Sequence, residues 1–164
     1  MTAAMRKGFL VAIVHVAIVA SLGAKLMVDR ATRPRVWAPA APYDPSLPIR
    51  GRYVRIRAEA VMGPGLARTA NRPVALSVAD GQLVATPTSE STNLYAQASS
   101  RTPDRVVIGP PLAYFIPEHV ADPSIRAPGE DLWVEVTLPR KGAPRPIRLG
   151  VRRGGVLTPL EFQR

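Results

Sequence analysis

Side chains that could bind a metal ion are few in this chain of 164 residues. His119 is one of two histidines, and it lies beside Glu118 and three positions before Asp122. Metal sites in proteins need three or four converging ligands, mostly His, Cys, Asp or Glu. The chain has no cysteine, and "PEHVAD" is typical of a polar loop. We therefore predict no metal and no cofactor.

Nucleophilic catalysis has equally little support. A serine nucleophile needs a general base and an oxyanion hole, and no G-x-S-x-G motif is present. Ser46 and Lys141 could form a serine–lysine dyad, but neither has a motif around it. The glycine pairs Gly63/Gly65 and Gly154/Gly155 lack the strand–loop–helix context of a phosphate-binding loop. We predict no catalytic residue; the alternative is an envelope hydrolase with the architecture of a signal peptidase.

Arginine supplies most of the charge. Lysine and arginine number 22 against 12 acidic residues, which gives a net charge of +10. The most regular arginine pattern is "GRYVRIRAEA" at 51–60, where apolar and polar residues alternate. Alternation predicts a strand that buries Val54, Ile56, Ala58 and Ala60 and exposes Tyr53, Arg55, Arg57 and Glu59. We expect the arginine face to lie in solvent, with an anion or partner contact as the alternative. Aromatic residues make up 5% of the chain, so nucleic-acid binding is not expected.

The N-terminal 30 residues predict a membrane anchor. Arg6 and Lys7 precede an uncharged apolar run over 8–24, and Leu26, Met27 and Val28 extend it beyond Lys25. Residues 9–28 are long enough to span a bilayer if Lys25 reaches the interface with its long side chain. A cleaved signal peptide is the alternative, with "SLG" before Ala24 as its cleavage site.

The orientation of this anchor follows from charge and length. Arg6, Lys7 and the amino terminus favour a cytoplasmic N-terminus, whereas Lys25 and Arg30 favour the reverse. Long C-terminal domains translocate largely regardless of charge. We therefore expect a single-pass protein with its N-terminus in the cytoplasm and its C-terminal domain outside the inner membrane, in the periplasm.

Residues beyond the anchor divide into a linker and a β domain. Five prolines in "ATRPRVWAPAAPYDPSLP" predict an extended linker over 31–48. Residues 49–164 have apolar residues at period two, and Asp80-Gly81 between two such runs predicts a hairpin. The predicted fold is mainly β, a small antiparallel barrel or sandwich of seven or eight strands.

Several segments resemble the GDYXXLXY family of bacterial membrane-anchored proteins. They are "YDPSLPIRGRYVRIRAEA", the "ADGQ" hairpin, "YFIPEHVADP" and "LWVEVTLPRKGAPRPIRLGV". The residues that match the family motifs are Asp44, Pro45, Pro48, Arg50, Gly51, Tyr53, Ile56, Tyr114, Phe115, Pro117 and Glu118. The chain departs from the family at Arg52, where aspartate is usual, and at Ile56, Ala58 and His119, where leucine, tyrosine and glycine are usual.

The resemblance implies a bacterial envelope protein, often encoded beside a multi-spanning membrane protein, and it supplies no catalytic residue. We expect the domain to be an accessory or binding partner of such a protein, with an anionic lipid or glycan as the alternative ligand. The expected contact residues are Arg50, Gly51, Arg52, Tyr53, Tyr114, Phe115 and Glu118. We also expect Glu118 to pair with Arg50 or Arg52, and Tyr53 to pack against Phe115.

Overall fold

The structure is a computed structural model, and it describes residues 3–44, 53–67, 71–117 and 119–162. The chain forms two compact units, Met1–Arg33 and Pro34–Arg164. The first contains a single helix and the second consists of strands, so the prediction of a mainly β protein with one N-terminal helix is confirmed.

Helix α1 (Ala3–Thr32) is apolar on all sides over Lys7–Val28, a stretch of 22 residues with a mean hydropathy of 2.2. At about 1.5 Å per residue this stretch is about 33 Å long, enough to cross a hydrocarbon core of about 30 Å. The polar side chains bond to the helix's own backbone: His15 Nδ1 lies 2.8 Å from the carbonyl oxygen of Val11, and Ser21 donates to that of Ile18. Length and composition fit a membrane span and also a signal sequence.

The second unit contains ten strands among its described residues. They are β1 (Arg35–Asp44), β2 (Tyr53–Met62), β3 (Arg72–Ala79), β4 (Gln82–Pro87), β5 (Tyr95–Ala98), β6 (Arg105–Gly109), β7 (Leu112–Phe115), β8 (Glu130–Thr137), β9 (Arg145–Arg153) and β10 (Val156–Pro159). Their hydrogen-bonded order is β10-β9-β8-β1-β2-β4-β3-β5-β6, with β7 also on β2.

Strand β2 belongs to two structures at once. Its C-terminal half pairs with β4 and β6, which closes a five-stranded barrel β2-β4-β3-β5-β6. Its N-terminal half pairs with β1 on one side and β7 on the other, in the sheet β10-β9-β8-β1-β2-β7. The β2–β4 ladder is the only parallel one among the described pairings.

Most of the segment predicted as a linker over 31–48 is not a linker, because Arg35–Asp44 form β1; residues 45–48 lie outside the described residues. Strand β1 alternates buried Val36, Ala38 and Ala40 with less buried neighbours. Its first half, Arg35 to Pro39, pairs with β8, and its second half pairs with β2. Proline is tolerated where a backbone N–H is not needed for a ladder. Because each half of β1 has its main ladder on one side only, the prolines do not prevent pairing.

The predicted hairpin is confirmed. Asp80 and Gly81 join β3 to β4, and the pair Ala79/Gln82 closes the ladder. Their φ angles are 50° and 69°, as a type I′ turn requires. One continuous apolar core underlies both structures; its members with the lowest exposure include Ile56, Leu83, Ile108, Val134 and Leu149.

Candidate interaction surface

Strand β2 separates its residues as the alternation predicts. Val54, Ile56, Ala58 and Ala60 are at most 4% exposed and form part of the core. The opposite face is less open to solvent than expected: Tyr53, Arg55 and Arg57 are half-buried, and Glu59 is buried. The expectation of a solvated charged face is therefore wrong for Glu59 and incomplete for the arginines. We call the surface formed by Tyr43, Tyr53, Arg55, Arg57 and Phe115 the arginine–aromatic face.

One end of this face is an aromatic pair. Tyr53 and Phe115 are direct partners in the β2–β7 ladder, and their ring centroids lie 6.1 Å apart with planes tilted by 58°. The predicted packing of these two residues is confirmed. Phe115 remains 74% exposed, although it is a large apolar side chain.

The other end is an arginine pair stacked on Tyr43. The β1–β2 register shifts between Pro42 and Asp44, so Tyr43 lies at a β-bulge, a feature that commonly redirects a side chain. The guanidinium carbon of Arg57 lies 3.9 Å from the centroid of the Tyr43 ring, and that of Arg55 lies 5.0 Å from it. Both distances are within the range of cation–π attraction.

Arg57 is further fixed by amide side chains. Its Nη1 donates to Oε1 of Gln97 at 3.1 Å, and Nε2 of Gln97 donates to Oδ1 of Asn71 at 2.9 Å. Nε of Arg57 is buried and has no hydrogen-bond partner among the described residues. No carboxylate among the described side chains forms an ion pair with Arg55 or Arg57. Among the described side chains, therefore, nothing neutralises these two charges; the side chain of Asp44, the ladder partner of Arg55, is not among them.

The same side of the sheet carries two more arginine–aromatic contacts. The guanidinium carbon of Arg148 lies 5.7 Å from the ring centroid of Trp37, and that of Arg152 lies 5.0 Å from Trp133. Gly150 lies between these arginines on β9, where a β-carbon would be 2.9 Å from the Trp37 ring. Glycine is therefore needed there for the indole to lie flat on the sheet.

Arg148 differs from the arginine pair in having a counter-ion. Its Nε donates to Oε2 of Glu135 at 2.6 Å, and this carboxylate raises the pKa of Arg148 through the hydrogen bond and its charge. Glu135 is 6% exposed, so Arg148 also compensates a buried negative charge. Arg152, like Arg55 and Arg57, has no described carboxylate partner; its Nε donates to the backbone oxygen of Gly155 at 3.3 Å.

Glu59 lies at the end of the β2 face and is 3% exposed. Its Oε1 accepts a hydrogen bond from Oγ of Ser99 at 3.2 Å, and Ser99 is 2% exposed. Oγ of Ser99 also accepts from the backbone N–H groups of Arg101 and Thr102. Glu59 and Ser99 therefore connect β2 to the loop after β5, and their role is structural.

The predicted contact residues do not all share one face. Tyr114 pairs with Val54 on the opposite side from Phe115 and packs on Phe162 with a centroid distance of 6.0 Å. Its predicted place beside Phe115 on the contact surface is wrong because neighbouring strand residues point to opposite faces. Burial raises the pKa of the Tyr114 hydroxyl. The predicted residues Arg50, Gly51, Arg52 and Glu118 lie outside the described residues, as does the hypothetical ion pair between them.

The side chains considered for catalysis do not converge in the described part of the chain. Lys141 lines a cavity of about 270 Å³ beside β3, together with Arg140, Glu90, Thr92 and Leu138 among others. Ser46, the proposed partner of Lys141 in a dyad, lies outside the described residues. Within the described ranges, no group of three or more His, Asp or Glu side chains could hold a metal ion.

Sequence reasoning missed Tyr43, Trp37 and Trp133 as members of this surface. Trp37 and Tyr43 stand at odd positions of "RVWAPAAPYD", on the opposite side from Val36, Ala38 and Ala40, and that alternation was the available signal. No family model matches the chain, and neither a curated protein nor a solved structure matches it. The arginine–aromatic face therefore has to be interpreted from its own chemistry.

Proposed function

We propose that this chain is a membrane-anchored protein of the bacterial envelope whose β domain binds an integral membrane protein and performs no catalysis. In this proposal α1 spans the inner membrane with its N-terminus in the cytoplasm, and the domain lies in the periplasm. Support for the anchor is the 22-residue apolar stretch of α1, none of whose apolar side chains is buried.

The observation that carries the binding proposal is the exposed Tyr53–Phe115 pair. Phe115 is 74% exposed, and covering its apolar ring with another surface would be favourable because it removes the ring from water. Phe115 does not stand alone, because Tyr53 holds its ring on one side. Rigid aromatic side chains next to arginine are the residue types most often found at the energetic centre of protein–protein interfaces.

The resemblance to the GDYXXLXY family supports the kind of partner. Members of that family are often encoded beside a multi-spanning membrane protein, and two of the matched segments contribute residues to the arginine–aromatic face. Tyr43 and Tyr53 belong to the segment "YDPSLPIRGRYVRIRAEA", and Phe115 belongs to "YFIPEHVADP". We therefore propose that the partner is a multi-spanning membrane protein of the kind encoded beside members of that family.

Co-purification tests this proposal. The full-length chain with a C-terminal tag is expressed together with a multi-spanning membrane protein of that kind and extracted in mild detergent. We expect a stoichiometric complex. Phe115→Ser should lower the yield of the partner by at least about tenfold, since a central interface aromatic contributes about 2 kcal/mol or more.

Val156→Ser is the matched control. Val156 is 68% exposed on β10, at the other end of the strand order, and its substitution also removes an exposed apolar side chain. The control should leave the complex intact. The wild-type chain purifying alone, or both variants weakening the complex equally, would contradict the proposed interface.

A further inference from the structure

Arg55 and Arg57 are charged groups arranged without a described counter-ion. Lysine and arginine side chains that are partly removed from water are normally paired, because desolvating a charge is costly. Here both arginines are half-buried as residues, both guanidinium groups stack on Tyr43, and neither forms an ion pair with a described side chain. Such an arrangement leaves two fixed positive charges available to an external anion.

Their spacing suits anions that are repeated across a surface. Residues two apart on a strand point to the same side, with their Cα atoms about 6.5–7 Å apart. Arginine presents a planar set of donors that matches the oxygens of a phosphate group. Two such groups side by side can therefore contact two neighbouring phosphates or two edges of one.

The surroundings of the pair are typical of a surface that meets lipid headgroups. Tyrosine and tryptophan are enriched at the membrane–water interface, since their rings are apolar and their polar atoms remain hydrated. Tyr43 and Tyr53 flank the arginine pair, and Trp37 and Trp133 lie on the same side of the sheet.

The covalent connection to α1 is short. The helix ends at Thr32 and β1 begins at Arg35, so three peptide links separate them. At up to about 3.6 Å per residue they reach about 11 Å. If α1 spans a bilayer, the first residue of β1 is therefore held close to the headgroups, where anionic lipids attract basic side chains within about a Debye length.

We propose that the arginine–aromatic face docks on the surface of an anionic phospholipid bilayer, with Arg55 and Arg57 contacting lipid phosphates. This inference rests on the anchoring of α1 under the proposed function, and it goes beyond that function by giving the domain a lipid ligand. Docking places the Tyr53–Phe115 pair at the level where an integral membrane partner emerges from the bilayer.

The chain contains a built-in probe of this docking. Its two tryptophans are Trp37 and Trp133, and both lie on the docking side of the sheet. The full-length protein is inserted into nanodiscs of phosphatidylcholine, or of phosphatidylcholine with one-third phosphatidylglycerol. A fraction of the phosphatidylcholine carries a nitroxide on its headgroup, which quenches tryptophan emission at short range. We expect stronger quenching in the anionic discs, and added salt should reverse it.

The arginine pair is then removed and compared with a matched control. Two basic residues near an anionic surface change the ratio of docked to undocked domain by about 30-fold, so Arg55→Gln with Arg57→Gln should reduce quenching to the phosphatidylcholine level. The control is Arg140→Gln with Lys141→Gln, which removes the same charge from an exposed turn. The control should quench as strongly as the wild type.

Three outcomes would overturn the inference. They are equal quenching of the wild type in both lipid compositions, unchanged quenching in the Arg55/Arg57 variant, and equal loss in the control variant. The wild-type comparison stands even if the arginine variant does not fold. Flotation with phosphatidylcholine vesicles after an alkaline wash tests the anchor separately. A chain that fails to float refutes the anchoring, whereas one that floats without lipid-dependent quenching refutes only the docking.

Discussion

The buried hydrogen bonds of Ser99 allow a quantitative prediction. Its Oγ donates to Glu59 and accepts from the backbone N–H groups of Arg101 and Thr102, at distances of 3.2, 3.1 and 3.3 Å. A neutral intramolecular hydrogen bond contributes about 1 kcal/mol, and one to a charged group contributes about 1.5–3 kcal/mol. Ser99→Ala removes all three and leaves the Glu59 carboxylate, 3% exposed, without its described donor. We expect the free energy of unfolding to fall by about 3.5–5 kcal/mol.

Guanidinium denaturation measures this change. Emission from Trp37 and Trp133 reports on the β domain alone, because both tryptophans belong to it. Ser91→Ala is the control, since Ser91 is exposed and has no hydrogen bond among those described for its loop. A loss below about 1 kcal/mol for Ser99→Ala, or one equal to that of the control, would refute the reasoning, because buried unsatisfied groups cost at least that much.

Two further predictions concern barrel closure and the buried tyrosine. Gly63→Ala should lower the free energy of unfolding by about 1–3 kcal/mol. The new β-carbon would lie 2.6 Å from Cγ2 of Thr86 and 2.9 Å from the backbone oxygen of Ala85, which is too close. A neutral or stabilising result in denaturation would contradict this prediction. Burial raises the pKa of Tyr114 above 10.0, so its contribution to stability is complete below pH 10 and is lost as pH rises through the folded-state value. Tyr114→Phe should therefore show a shallower decline of unfolding free energy above pH 10, measured by the same denaturation, and an unchanged slope would exclude this residue as the cause.

Short sequence patterns correctly predict the elements that are determined by residues close together in the chain. The hairpin β3–β4 follows from Asp80-Gly81, because two adjacent residues with positive φ specify the turn. The buried side of β2 follows from its alternation, because a strand that covers a core can place only every second residue inside. The apolar helix follows from an uninterrupted run of suitable length. In each case the residues that determine the structure lie within a few positions of one another.

The prolines of β1 predict a linker, although its apolar residues alternate as they do in a strand. Pro39 and Pro42 would weaken a strand with complete ladders on both sides. The actual strand uses its first half for β8 and its second for β2, so the missing N–H groups are tolerated. Which half pairs with which neighbour depends on partners that lie from Arg55, close along the chain, to Thr137, far along it, and one-dimensional patterns do not contain that information.

The arginines of β2 are a second case in which the sequence predicts only part of the structure. Their direction could be predicted, but their surroundings could not, because Tyr43 reaches them from a β-bulge in another strand and Gln97 reaches Arg57 from the barrel. In solvent the two arginines would be ordinary surface charges worth little. Stacked on a ring and without a described counter-ion, they become fixed donors for an anion. The bulge at Tyr43 is therefore the local feature on which the proposed lipid contact depends.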